Sequence, residues 1–90
     1  GQEGLPGGLS EPLLTDPAFW GRISLNLLET GHFPEGLRAA DLAVALAPDN
    51  VVYRNNRVVL LLKLGRDEDA AREWAAVLEL DPSLEAKESE

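Results

Sequence analysis

A self-similarity with a period of 34 residues limits the folds open to this chain more than any other feature of it. Gly31 and Gly65 stand at that interval, as do Pro48 and Pro82, Arg38 and Arg72, Leu46 and Leu80, Leu27 and Leu61, and Leu28 and Leu62. Phe19 with Tyr53, Glu35 with Asp69, Gly36 with Ala70 and Ala43 with Val77 are conservative matches at the same spacing. The identities fall on residues that stop helices and on leucines expected to pack them. A fixed period of this length marks a helix–turn–helix repeat.

The punctuation between the matches predicts four helices. Thr15 or Asp16 can accept from the free N–H groups of a first turn, with Pro17 at the first helical position, and Gly31 is a left-handed stop. Pro34 and Glu35 open a second helix, which must end near Ala47 because Pro48 follows. Asn50 caps a third that ends at Gly65. Asp67 caps a fourth, carrying Ala70, Ala71, Trp74, Val77, Leu78 and Leu80, which Asp81-Pro82 breaks. Ser83 is placed to cap a short fifth. Residues 1–16 hold Gly4, Pro6, Gly7, Gly8 and Pro12, too many backbone breakers for a helix or strand, and read as an arm or linker. The leucines of that arm, Leu5, Leu9, Leu13 and Leu14, could dock it. Opening on Gly1 rather than on Met, the chain is expected to be a piece of something longer.

Composition removes several function classes. With 8 Lys and Arg against 16 Asp and Glu, the chain lacks the basic clusters that phosphate contacts need, so nucleic acid is excluded as a partner. Five of the eight net negative charges fall in residues 1–16 and 85–90, so the acidity speaks to solubility and the repeat region is nearly balanced. Hydrophobic residues make up 44% of the chain, more than a disordered segment carries. There is no cysteine, which removes disulfides, thiolate nucleophiles and Cys-ligated metals and leaves the redox compartment unreadable. The longest apolar run, Val58-Val59-Leu60-Leu61-Leu62, is far short of the roughly 20 residues of a membrane span. His32 is the single histidine and sits in a turn. Asp67, Glu68 and Asp69 cluster where a helix begins, which suits the macrodipole better than acid–base work. No phosphate loop or dinucleotide fingerprint is present. The sequence therefore predicts no catalytic residue, no metal, no cofactor and no enzyme, and assigns no compartment.

The period and the residues on it resemble the tetratricopeptide repeat (TPR) family. The family's early positions map onto Trp20, Ile23, Ser24 and Leu27 and its later ones onto Gly36, Ala40 and Pro48. In the second copy they are Arg54, Arg57, Val58 and Leu61, then Ala70, Trp74 and Pro82. Arginines thus depart from the pattern at the opening of the second copy and Ala40 departs in the first. Trp20 with Ala40, against Arg54 with Trp74, suggests that volume is exchanged across the helix pair. The resemblance implies an all-α, right-handed solenoid with repeats at 17–50 and 51–84 and a capping helix or tail at 85–90. It places the concave face on Ala18, Gly21, Arg22, Leu25, Leu28 and Glu29 of the first helix. On the third helix it places that face on Val52, Asn55, Asn56, Val59, Leu62 and Lys63.

This surface is mostly apolar, and the Val58–Leu62 stretch, apolar on every side, asks for burial on more than one side. Helical repeats generally need about three units to close a core, so something beyond two repeats is expected to cover it. The function expected is a protein-binding module that takes a peptide or helix segment, or a second copy of the chain, on the concave face. Two other readings stand beside it. One is a capping or spacer piece of a longer solenoid. The other is an adaptor for an acidic chaperone tail, for which Asn56 matches but Gly21 and Leu25 stand where basic and amide groups are needed.

Overall fold

The computed structural model describes residues 14–84, which form four α-helices and, within that range, no strand. They are α1 (Pro17–Glu29), α2 (Phe33–Leu46), α3 (Val51–Lys63) and α4 (Asp67–Leu80), joined by short turns. α1 pairs with α2 and α3 with α4, while α3 also lies against α2 and touches α1. This is an all-α helical repeat, as the 34-residue period requires. The expected arm lies outside the described residues up to position 13, and so does the tail at 85–90.

Local signals explain most of the helix ends. The Asp16 carboxylate accepts from the Ala18 N–H at 3.0 Å with Pro17 at the start of α1, and the Asn50 side chain accepts from the Tyr53 N–H at 3.0 Å. Gly31 and Gly65 take φ of +83° and +75°, a region glycine enters without strain. Each glycine completes the same C-terminal motif. His32 N–H donates to Leu27 C=O at 2.8 Å and Gly31 N–H to Leu28 C=O at 3.2 Å; Arg66 and Gly65 repeat this onto Leu61 and Leu62 at 2.9 and 3.0 Å.

Two starts differ from expectation for one physical reason. α2 begins at Phe33, one residue before Pro34, and α4 begins at Asp67 rather than being capped by it. The capping positions are His32 and Arg66, whose backbone angles are the same (φ −94°, ψ 69°) and whose side chains make no cap. Their carbonyls accept from Gly36 and Ala70 N–H as the first bond of each helix, and the turn after each glycine, not a side-chain cap, sets the start. At the far end Ser83 is not the acceptor. Its N–H and Oγ–H both donate to the Asp81 carboxylate, at 3.3 and 2.6 Å, and residues 83–84 are helical.

The core runs between the helix pairs. Leu37, Ala40, Val58, Leu60, Leu61, Ala70 and Val77 form it, with Phe33, Val51, Trp74 and Leu84 packed at its margin. Leu60 and Leu61 are completely buried, each contributing about 1.5–3 kcal/mol of apolar transfer. Two glycines allow the close approach. A Cβ on Gly36 would lie 2.9 Å from Leu60 Cδ2, and one on Gly21 would lie 2.5 Å from the Tyr53 ring. Ser24, also fully buried, satisfies its hydroxyl by donating to the Gly21 carbonyl at 2.7 Å. Not every matched leucine packs inward. Leu61 is core, but Leu46, Leu62 and Leu80 are exposed, so the sequence identity at those positions records surface rather than core.

Candidate protein-binding surface

The residues expected on the concave face divide into three groups. Ala18, Arg22, Leu25 and Glu29 on α1 and Val52, Asn55, Leu62 and Lys63 on α3 are exposed. Leu28, Asn56 and Val59 are half-buried, Leu28 by packing against the core. Gly21 is buried under Tyr53 and presents no surface to a ligand; it is the contact point of α1 with α3. The accessible part is apolar and large: Leu25 is 42% exposed, Leu62 52% and Val52 63%.

On the α4 side of α3 this surface continues into a groove of about 430 Å³. Asn55, Val58, Val59 and Leu62 form one wall and Ala70, Ala71 and Trp74 the other, with Asp67 at one end. Asn55, Val59 and Leu62 are therefore brought together with Trp74, while Ala18, Arg22 and Leu25 do not line the groove. The sequence places Ala71 in the apolar set of α4 and Trp74 both there and at a family packing position, neither at a groove. The signal for their second role was the change of Ala40 to Trp74 at the 34-residue shift, which puts an indole where repeat 1 carries a methyl group.

Behind the groove an ion cluster joins three helices. Glu73, only 7% exposed, accepts from Arg54 Nη1 at 3.1 and 3.2 Å and from Arg57 Nη1 at 3.1 Å. Arg57 Nε donates to Asp41 of α2 at 2.5 Å, and Arg54 Nε to the Pro48 carbonyl at 2.6 Å. Burial pulls the Arg57 pKa down, but the hydrogen bond and charge of Asp41, with those of Glu73, outweigh it and hold the guanidinium above its ordinary value. The arginines at the head of the second copy are thus answered by a carboxylate. Sequence reasoning expected an exchange of volume with Trp74; the structure pairs Arg54 with Glu73, whose counterpart in repeat 1 is Ala39.

The remaining polar features are local. Asp69 accepts from Arg66 at 2.7 and 3.0 Å and from Arg72, and these hydrogen bonds, Arg66 first, hold its pKa below the usual carboxylate value. His32 meets the Thr30 hydroxyl at 2.9 Å in the exposed turn. Among the described residues no group of three His, Cys, Asp or Glu side chains could hold a metal ion, and no helix is long and apolar enough to cross a membrane.

No family profile matches the chain, and no solved structure matches it. It is 40% identical over 53 residues, 59% of its length, to a protein of Arabidopsis thaliana called TPR repeat-containing thioredoxin TTL4. It is 34% identical over 62 residues, 69% of its length, to the same organism's inactive TPR repeat-containing thioredoxin TTL3. The chain spans 8% and 9% of these two relatives.

Proposed function

Because the chain carries helical repeats of the tetratricopeptide type, we propose that it is a non-enzymatic protein-interaction module that binds a peptide or helical segment through the apolar side of α1 and α3. The observation that carries this is the outward placement of Leu25, Val52 and Leu62 on the two helices expected to face a ligand. Three large apolar side chains left in water by a small domain favour a contact surface there. The stripe is framed by Arg22 and by Asn55 and Asn56, which can accept or donate to a peptide backbone.

Selection from a displayed random peptide library against the 90-residue chain tests the reading. Binders rich in apolar residues are expected, and Leu25→Glu combined with Val59→Glu should abolish their retention. Selected peptides that bind the double variant as well as they bind the unaltered chain would refute the concave-face site. Sedimentation at micromolar concentration reports whether a second copy already covers the surface.

A further inference from the structure

Two rows of side chains run along the expected face in one register. On α1 the row is Arg22, Leu25 and Glu29, spaced i, i+3 and i+7, and all three are exposed. Moved by 34 residues, the same positions on α3 are Asn56 and Val59, both half-buried, and the exposed Lys63. Each row has an apolar residue at its centre and a polar or charged one on either side. What changes from one repeat to the other is the charge around the centre.

The charges of the α1 row are unanswered within the fold. Among the described residues Arg54, Arg57, Arg66 and Arg72 are held by carboxylates, while Arg22, Arg38 and Lys63 have no acidic partner. A chain with 16 acids and 8 bases has carboxylates to spare for its exposed cations, yet two of these three stand unpaired on the expected face. Glu29 is more telling still. It is the last residue of α1, where the helix end carries partial negative charge and favours a cation, and among the described residues no Lys or Arg meets it. Lys63, in the last turn of α3, has the sign its own helix end prefers, so that position explains it without a ligand.

We infer that the surface chooses its partner by charge as well as by apolar contact: it takes a segment that sets an apolar side chain on Leu25 between an acidic group facing Arg22 and a basic group facing Glu29. This rests on the interaction-module reading and makes Arg22 and Glu29 its specificity-determining residues. Seven residues of helix separate the two by about 10 Å. A helical ligand matches that distance with charges about two turns apart, and an extended one with charges about three residues apart. Exposed pairs of this kind add little affinity each and act mainly on the choice of partner. Being of opposite sign, they also fix the direction in which the segment lies along α1. Residues 1–16 contain no Lys or Arg, so the chain's own arm lacks the base that Glu29 calls for.

A fluorescein-labelled peptide taken from the displayed-library selection on the 90-residue chain tests the inference by anisotropy. Selected sequences should carry both an acid and a base beside their apolar residues. Glu29→Lys, a change that suits the end of α1 and so does not act by unfolding it, should weaken binding about fivefold or more, and replacing the peptide's base by Glu should restore it. Arg22→Glu, with helicity checked by circular dichroism, should do the same through the peptide's acid, with recovery when that acid becomes Lys. Both effects should shrink at about 1 M salt. Selected peptides with random charges, equal binding to the charge variants, or a loss that the matching peptide does not recover would overturn the inference and leave the proposed module standing. Enrichment of acids alone would overturn it in favour of the acidic-tail adaptor. Peptides that keep their affinity for the Leu25/Val59 variant would remove the module and this inference with it.

Discussion

Repeat 1 and repeat 2 share a backbone and differ in what fastens it. Trp20, Ile23 and Ala39 in the first become Arg54, Arg57 and Glu73 in the second, so an apolar trio is replaced by a buried carboxylate between two guanidinium groups. The turns, glycine stops and helix lengths are the same in both. Helix boundaries therefore follow from a few local residues, while the chemistry that joins one helix to the next is free to vary as long as it changes in concert. Arg57 also reaches back to Asp41, so the ionic version ties the two repeats to each other as well as closing the second.

The largest effect should come from breaking this concert. Glu73→Ala leaves Arg54 and Arg57, each partly covered, without their shared acceptor, and should cost about 1–3 kcal/mol in chemical denaturation, below the 3–5 of a fully buried pair. Converting all three positions to the repeat 1 set, Arg54→Trp with Arg57→Ile and Glu73→Ala, should restore stability to that of the unaltered chain or above it, because well-packed apolar groups replace charges without a desolvation cost. A triple variant as unstable as Glu73→Ala would show that the two fastenings are not interchangeable.

The surroundings of Gly21 and of its counterpart Asn55 give a second, smaller contrast. Gly21→Ala places a methyl group within 2.5–2.8 Å of the Tyr53 ring, and the overpacking should outweigh the gain in helix propensity to leave a net loss of about 1–2 kcal/mol. Asn55→Ala, at the same register of repeat 2, should change stability by less than about 0.5 kcal/mol, because among the described residues no helix lies over it. Equal losses at the two positions would mean that the groove is already covered in solution.

What could be read in the sequence divides along the same line. Asp16, Asn50, Gly31 and Gly65 act within a few residues of themselves, so their roles were visible in order of the chain. The starts at Phe33 and Asp67 each come one residue earlier than expected because the turn after each glycine, rather than a polar capping side chain, fixes them. The carboxylate partners of Arg54 and Arg57 lie 16 to 19 residues away on other helices, and no local pattern pairs them. Of the expected concave face, Leu25, Val52 and Leu62 come from the family resemblance, and they are exposed. The burial of Gly21 was not legible, since it depends on which side of α1 receives Tyr53.

The smallest expected effect separates the buried cluster from the exposed one. Asp69 belongs to repeat 2 alone in having two arginine partners, Arg66 and Arg72, since at its counterpart Glu35 the position of Arg66 is taken by His32. Its pKa is held below the ordinary aspartate value of about 3.9, so above that pH the ionised form stabilises the fold. As the pH falls through the folded-state pKa the carboxylate protonates in both states and the contribution disappears. Because the group is solvent-exposed the loss should be small and weakened further by salt. Thermal denaturation of the unaltered chain and of Asp69→Asn should therefore differ slightly at pH 7 and converge in acid. A difference that persisted undiminished well below the folded pKa of Asp69 would mean that the side chain acts through packing or capping of α4 rather than through its charge.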